Sequence, residues 1–205
     1  MNVHSPGVFM DKRQKILMTS EALLAERGLY GLSMKLLADT AGVAAGTIYR
    51  YFDNKEALIN ELYLHITHET ADDFFKGWSD EQSPEHKYKR LWNNAFYAVL
   101  QKPQRSIVIE MLFSQPGLFK AQAAFFDSEM FQPLTDFYQQ GIDEQRFHNW
   151  KIPALMTLSF NSAITLAKKV MSNCIDPDQT QINQVRDASW LIIQKDFHHH
   201  HKDTK

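Results

Sequence analysis

The chain has 205 residues, 44% hydrophobic and 22% charged, with a formal net charge of -2 and one cysteine, Cys174. That length suits one medium domain or a small head on a larger body, and the composition excludes a fibrous or disordered chain. A lone thiol excludes an intrachain disulfide, no stretch reaches the ~20 apolar residues of a bilayer span, and residues 1–13 lack the apolar run of a secretory leader, so a cytoplasmic protein with no membrane partner is expected.

Apolar residues recur at helical spacing nearly throughout, without the alternation of a half-buried strand, so the expected fold is all-α. The first helix spans about 10–27, with Ile16 and Leu17 repeated as Leu23 and Leu24 and Gly28 at its end. Ser33 then caps a short helix ending near Thr40, Ala41-Gly42-Val43 makes a tight turn, and 44–50 form a second short helix. Asp53 with Glu56 three residues on has the pattern of a capping box opening a long helix over 54–77. Ser83-Pro84, Lys102-Pro103, Gln115-Pro116-Gly117, Ile152-Pro153 and Asp176-Pro177 mark further boundaries. They divide the remainder into about six helices, of which two long ones, 153–173 and 178–197, close the fold. A head over 1–55, a helical body over 56–197 and a disordered tail over 198–205, containing the run His198 to His201, are the expected units.

Charge divides unevenly between head and body. Up to Lys55 seven basic side chains stand against five acidic ones, leaving fifteen against nineteen beyond it. The sign suits a head that faces nucleic acid. Leu36, Leu37, Val43, Ile48 and Phe52 would pin the two short helices over the first, and Gly42 permits the reversal between them. The outer face then carries Thr47, Tyr49, Arg50 and Tyr51. Taken singly, Tyr49, Tyr51 and Phe52 fit an aromatic stripe of an ordinary core better; it is their combination with the cap, the turn glycine and Lys55 that points outward.

The segment from Ser33 to Lys55 resembles the DNA-binding head of the TetR family of bacterial regulators. The resemblance rests on Leu37-Ala38, Ala41-Gly42-Val43, Gly46-Thr47-Ile48-Tyr49, Tyr51-Phe52, and Lys55 with Leu58. It implies a three-helix helix-turn-helix head followed by a helical ligand-binding and dimerisation bundle. The expected partners are double-stranded DNA with a palindromic operator, a small-molecule inducer and a second copy of the chain. Ala45, Gly46, Thr47, Tyr49 and Arg50 would approach the major groove, with Ser33, Lys35, Tyr51 and Lys55 on the phosphate backbone. Arg50 is the best base-reading candidate, since a bidentate Arg–guanine contact discriminates by roughly 1–3 kcal/mol. Ala44 and Ala45 offer no hydrogen bonds, which leaves methyl contacts or DNA shape.

Beyond the head the sequence is rich in aromatics, most of which must be core. Trp92, Phe96, Phe113, Phe126 and Phe160, with Asn161 as polar handle, are candidates to line an apolar cavity. In the penultimate helix Leu155, Ser159, Ser162 and Leu166 share one face and Met156, Phe160, Ala163, Ala167 and Met171 another. With the stripe Ile182, Val185, Ser189, Ile192 and Ile193 on the last helix, this suggests a four-helix interface between protomers, the alternative being burial within a larger monomer. His65, His68, Glu69 and Asp72 lie at helical spacing but lack paired Glu-x-x-His motifs. No nucleophile context or Gly-rich phosphate loop supports catalysis, so no cofactor or enzyme activity is expected. A ligand-independent DNA-binding structural or interaction factor is the alternative function.

Overall fold

The computed structural model describes residues 11–114 and 129–195. The boundary at 115–117, Phe126 and the tail over 198–205 lie outside them. The described elements are α1 (Lys12–Gly31), α2 (Met34–Ala41), α3 (Ala45–Tyr51), α4 (Lys55–Phe74), α5 (Pro84–Gln101), α6 (Pro103–Phe113), a 3-10 turn (Glu129–Phe131), α7 (Gln132–Asp143), α8 (Ile152–Leu158), α9 (Phe160–Met171) and α10 (Gln179–Leu191). The fold is all-α, with one isolated antiparallel bridge, Phe147 to Gln194, among the described residues.

Two compact units divide the described chain: residues 11–66 with 104–114, and residues 67–103 with 129–195. Thus α4 contributes to both, and α6 belongs with the head helices. In the first unit α1 packs on α2 and α3, burying Ile16, Leu17, Leu23, Leu24, Leu37, Ile48 and Phe52. Regular α1 geometry breaks at Gly28, whose φ of +69° lies outside the helical region. A nearly buried ion pair joins α1 to α6: Arg105 donates from Nε and a terminal nitrogen to the two carboxylate oxygens of Glu21, at 2.9 and 3.0 Å.

In the second unit α5 packs along α9 and α10, while α7 meets α8. Its core is aromatic: Phe74 lies edge-on to Phe160 at 5.4 Å, and Phe147 to Trp190 at 5.5 Å. Gly141 of α7 is required by close approach, because a Cβ there would collide with the Phe147 ring. Burial keeps two phenols of this core protonated well above the ordinary tyrosine range. For Tyr88 desolvation is reinforced by neighbouring Tyr138 and outweighs the hydrogen bond to Ser189; for Tyr138 desolvation outweighs the bond to Ser159.

Several boundaries differ from the sequence expectation, each for a physical reason. The cap of α4 is Asn54, whose Oδ1 accepts from the Ala57 amide at 2.8 Å, one residue later than Asp53. The expected helix over 153–173 is two helices, because Ser159, with ψ of -88°, leaves helical geometry. Its buried hydroxyl donates to the Leu155 carbonyl at 2.6 Å and pairs with the Tyr138 hydroxyl at 2.7 Å, a back-bond that bends helices. Asp178 and Gln181 form a capping box on α10, but that helix stops at Leu191 rather than 197. Beyond it the backbone pairs with 146–148, His148 donating to Ile193 and Lys195 to Arg146. The α10 stripe is accordingly split: Ile182, Ser189 and Ile193 are buried within the chain, while Val185 and Ile192 are exposed.

Candidate nucleic-acid interface

The interface is built from α2, the turn after it, and α3. Ser33 begins it as expected, its Oγ accepting the Leu36 amide at 3.1 Å. At the other end of α2, Gly42 adopts φ +64° and ψ +39°. Its amide donates to Asp39, and the Val43 amide donates to Ala38 at 3.1 Å, so the helix ends in a paired left-handed cap that glycine accommodates without strain. The chain reverses there and re-enters helix at Ala45. Leu37, Ala38, Ala41, Ile48 and Phe52 are buried beneath this corner, and Leu36 and Val43 are half-buried.

What this packing leaves outside is the polar face. Ser33, Lys35, Ala45, Gly46, Tyr49 and Arg50 are exposed, and Thr47 and Tyr51 are half-buried. On α3, Gly46, Tyr49 and Arg50 fall three and four residues apart, hence on one side of the helix. Gly46 has no atom within 4 Å of where a Cβ would sit, so nothing in the chain obstructs close approach to its backbone. The Arg50 guanidinium lies over the Tyr51 ring, 5.0 Å from its centroid, and donates to the Tyr51 hydroxyl at 3.2 Å. Ring and hydroxyl together preorganise the cation with most of its five donors still free to face outward.

Lys55 stands differently from a simple phosphate contact. Its ammonium donates to the carbonyls of Leu29 and Leu32 at 2.5 and 2.6 Å, tying the α1–α2 connection to the first turn of α4. Two of its three donors serve the fold, and one remains. Sequence reasoning missed Lys15 of α1, whose Nζ would lie 3.8 Å from a Cβ at Gly42 and so places a positive charge over the turn. Nothing in the local sequence marks it, because only the packing of α1 on α2 brings it there.

The aromatic candidates of the body are distributed otherwise. Trp92 and Phe96 are fully buried and stacked, with planes 10° apart, and the Trp92 indole donates to Ser162 at 2.8 Å. Phe160 is buried against Phe74, and Asn161 is half-buried. Phe113 belongs to the first unit, beside Tyr63, whereas the other four belong to the second. A cavity of about 230 Å³ opens elsewhere in the second unit, lined by His68, Ala71, Asp72, Phe75 and Met130. No His/Cys/Asp/Glu group among the described residues is arranged to hold a metal ion. None of the described helices is long and apolar enough to cross a membrane.

A capped helix, a glycine reversal and a second short helix with an exposed polar face define a helix-turn-helix regulator. Residues 16–62 match the family described as bacterial regulatory proteins, tetR family, and 84–194 match the tetracyclin repressor-like C-terminal domain. A structure described as a TetR-family transcriptional regulator of Vibrio parahaemolyticus is similar with TM-score 0.81 and 33% identity, covering 90% of this chain and all of that one. A TetR-family regulator of Haemophilus influenzae aligns with TM-score 0.80 at 25% identity over 90% of this chain and 97% of its own. The transcriptional repressor KstR2 of Mycobacterium tuberculosis is 36% identical over 149 residues, 69% of this chain and 72% of that protein. The chain belongs to the TetR family, whose members are DNA-binding transcriptional regulators and not enzymes.

Proposed function

We propose that this protein is a dimeric, cytoplasmic transcriptional repressor that leaves a palindromic operator when a small apolar or amphipathic ligand enters its body. The observation that carries the reading is the exposed face of α3, where Arg50 is preorganised by Tyr51 beside Tyr49 and the unobstructed Gly46. In this reading Ala45, Gly46, Thr47, Tyr49 and Arg50 approach the major groove, and Ser33, Lys35, Tyr51 and the remaining donor of Lys55 meet phosphates. Val185 on α10 and Ile192 just past its end, both exposed, belong to the face that a second protomer covers. Two heads then engage half-sites ~34–36 Å apart, one turn of duplex. Because α4 is unbroken from Lys55 to Phe74 and contributes to both units, a ligand that displaces its far end alters the spacing of the heads. Reciprocity requires that DNA weaken the ligand by the same factor.

Selection of bound duplexes from a random pool, with Arg50→Ala alongside, tests this. A two-fold symmetric site is expected from the unaltered protein, and relaxed discrimination worth roughly 1–3 kcal/mol from the variant. Absence of any enriched sequence would overturn the operator reading.

A further inference from the structure

We infer that the cavity on the C-terminal half of α4 is the ligand site of the regulator, and that it takes a small molecule joining an apolar, preferably aromatic, body to a positively charged amine. The inference rests on the reading of the chain as a ligand-released repressor. Of the aromatic candidates, Trp92, Phe96 and Phe160 are packed inside the second unit, with Trp92 and Phe96 stacked and Trp92 bonded to Ser162. His68, Ala71, Asp72 and Phe75 follow one another at helical spacing along α4 and the turn after it. With Met130 they line a cavity of about 230 Å³.

Chemistry of the walls selects the ligand. Ala71, Phe75 and Met130 are apolar, and a ring or a thioether suits an aromatic guest. Phe75 is held in place by Trp78, edge-on at 5.6 Å, and by Phe131 at 6.0 Å, so its face is a fixed surface and not a mobile side chain. Among the described residues that line the cavity, Asp72 is the one carboxylate and none is Lys or Arg. Asp72 sets a negative charge beside an aromatic ring, and both attract a cation. A carboxylate ligand would meet repulsion from Asp72, which no cation among the described lining residues offsets. The volume lies below the ~300–1,000 Å³ of sites for drug-sized ligands, so a small molecule or one end of a longer one fits. Position adds the consequence: the second unit begins at residue 67, and His68 is the next position on the same helix that carries Lys55 at its start.

The experiment is a titration of the full-length dimer with three probes of one shape and different charge, 2-phenylethylamine, 2-phenylethanol and 3-phenylpropanoate, at a pH above the histidine range. The amine should bind most tightly and the carboxylate least. Asp72→Asn, at an exposed position, should cost the amine about fivefold in affinity and leave the alcohol unchanged, as expected for one partly solvated charge pair. Met130→Lys should weaken the amine further by placing a like charge on the lining. Equal affinities for the three probes, tighter binding of the carboxylate, no binding of any, or indifference of the amine to both substitutions would overturn the inference. Operator binding is measured in the same samples. A protein that holds DNA but shows no preference for the amine loses this site while the repressor reading stands; one that holds no DNA overturns the reading itself.

Discussion

Replacing Glu21 by Gln removes one charge from the pair that fastens α6 to α1 and leaves the Arg105 guanidinium in a place where its side chain is only 12% exposed. Both bonds of the pair, 2.9 and 3.0 Å, are lost or weakened, since an amide offers one acceptor where the carboxylate offered two. Breaking one side of a fully buried pair costs ~3–5 kcal/mol; residual exposure brings the expectation here to about 2–3 kcal/mol. At ~2–4 °C per kcal/mol for a chain of this size, thermal unfolding followed by circular dichroism should fall by roughly 4–12 °C. The double variant Glu21→Met, Arg105→Met removes both charges, and should recover most of that loss because no unpaired charge remains. A single variant that melts with the unaltered protein, or a double variant as unstable as the single one, would refute this account of how α6 is held.

Other outcomes follow from the turn and from the buried phenols. Gly42→Ala meets only Lys15 Nζ at 3.8 Å, so its cost is backbone strain at positive φ, roughly 1–2 kcal/mol, with Gly42→Asn losing less; denaturant unfolding that ranks Ala level with Gly would contradict the left-handed cap. Tyr138 keeps its proton in the folded chain well above 10.0, where it ionises once unfolded. Its folded pKa is raised, so the stability it contributes is whole below pH 10 and declines as pH rises beyond it. Tyr138→Phe should therefore be less stable at neutral pH by about 1 kcal/mol, through the lost bond to Ser159. Above pH 10 the two proteins should converge by about 1.4 kcal/mol per pH unit. Urea midpoints that stay parallel across pH 10 would show that this phenol is not protected by burial.

What the amino-acid sequence determines by itself is whatever depends on near neighbours along the chain. Ser33 caps α2 and Ser83 caps α5 because a hydroxyl reaches an amide three residues on; Gly42 ends α2 because only the local backbone must turn left-handed. The helix-turn-helix is made of such short-range pieces, so its corner and its exposed residues are legible in the order of residues. The body is not, because its decisive contacts join distant positions. Ser159 breaks a helix through a partner 21 residues away, and α10 ends where 193 and 195 pair with the backbone at 148 and 146. Lys55 is drawn from a bare cation into a clamp on carbonyls 26 and 23 residues earlier. Whether an aromatic fills space or borders it is likewise a matter of what packs against it: Trp92 is closed by Phe96 and Ser162, whereas Phe75 borders a cavity that Met130 also lines. Spacing assigns such a residue to a helix face, but only the packed neighbours decide whether room for a ligand remains beside it.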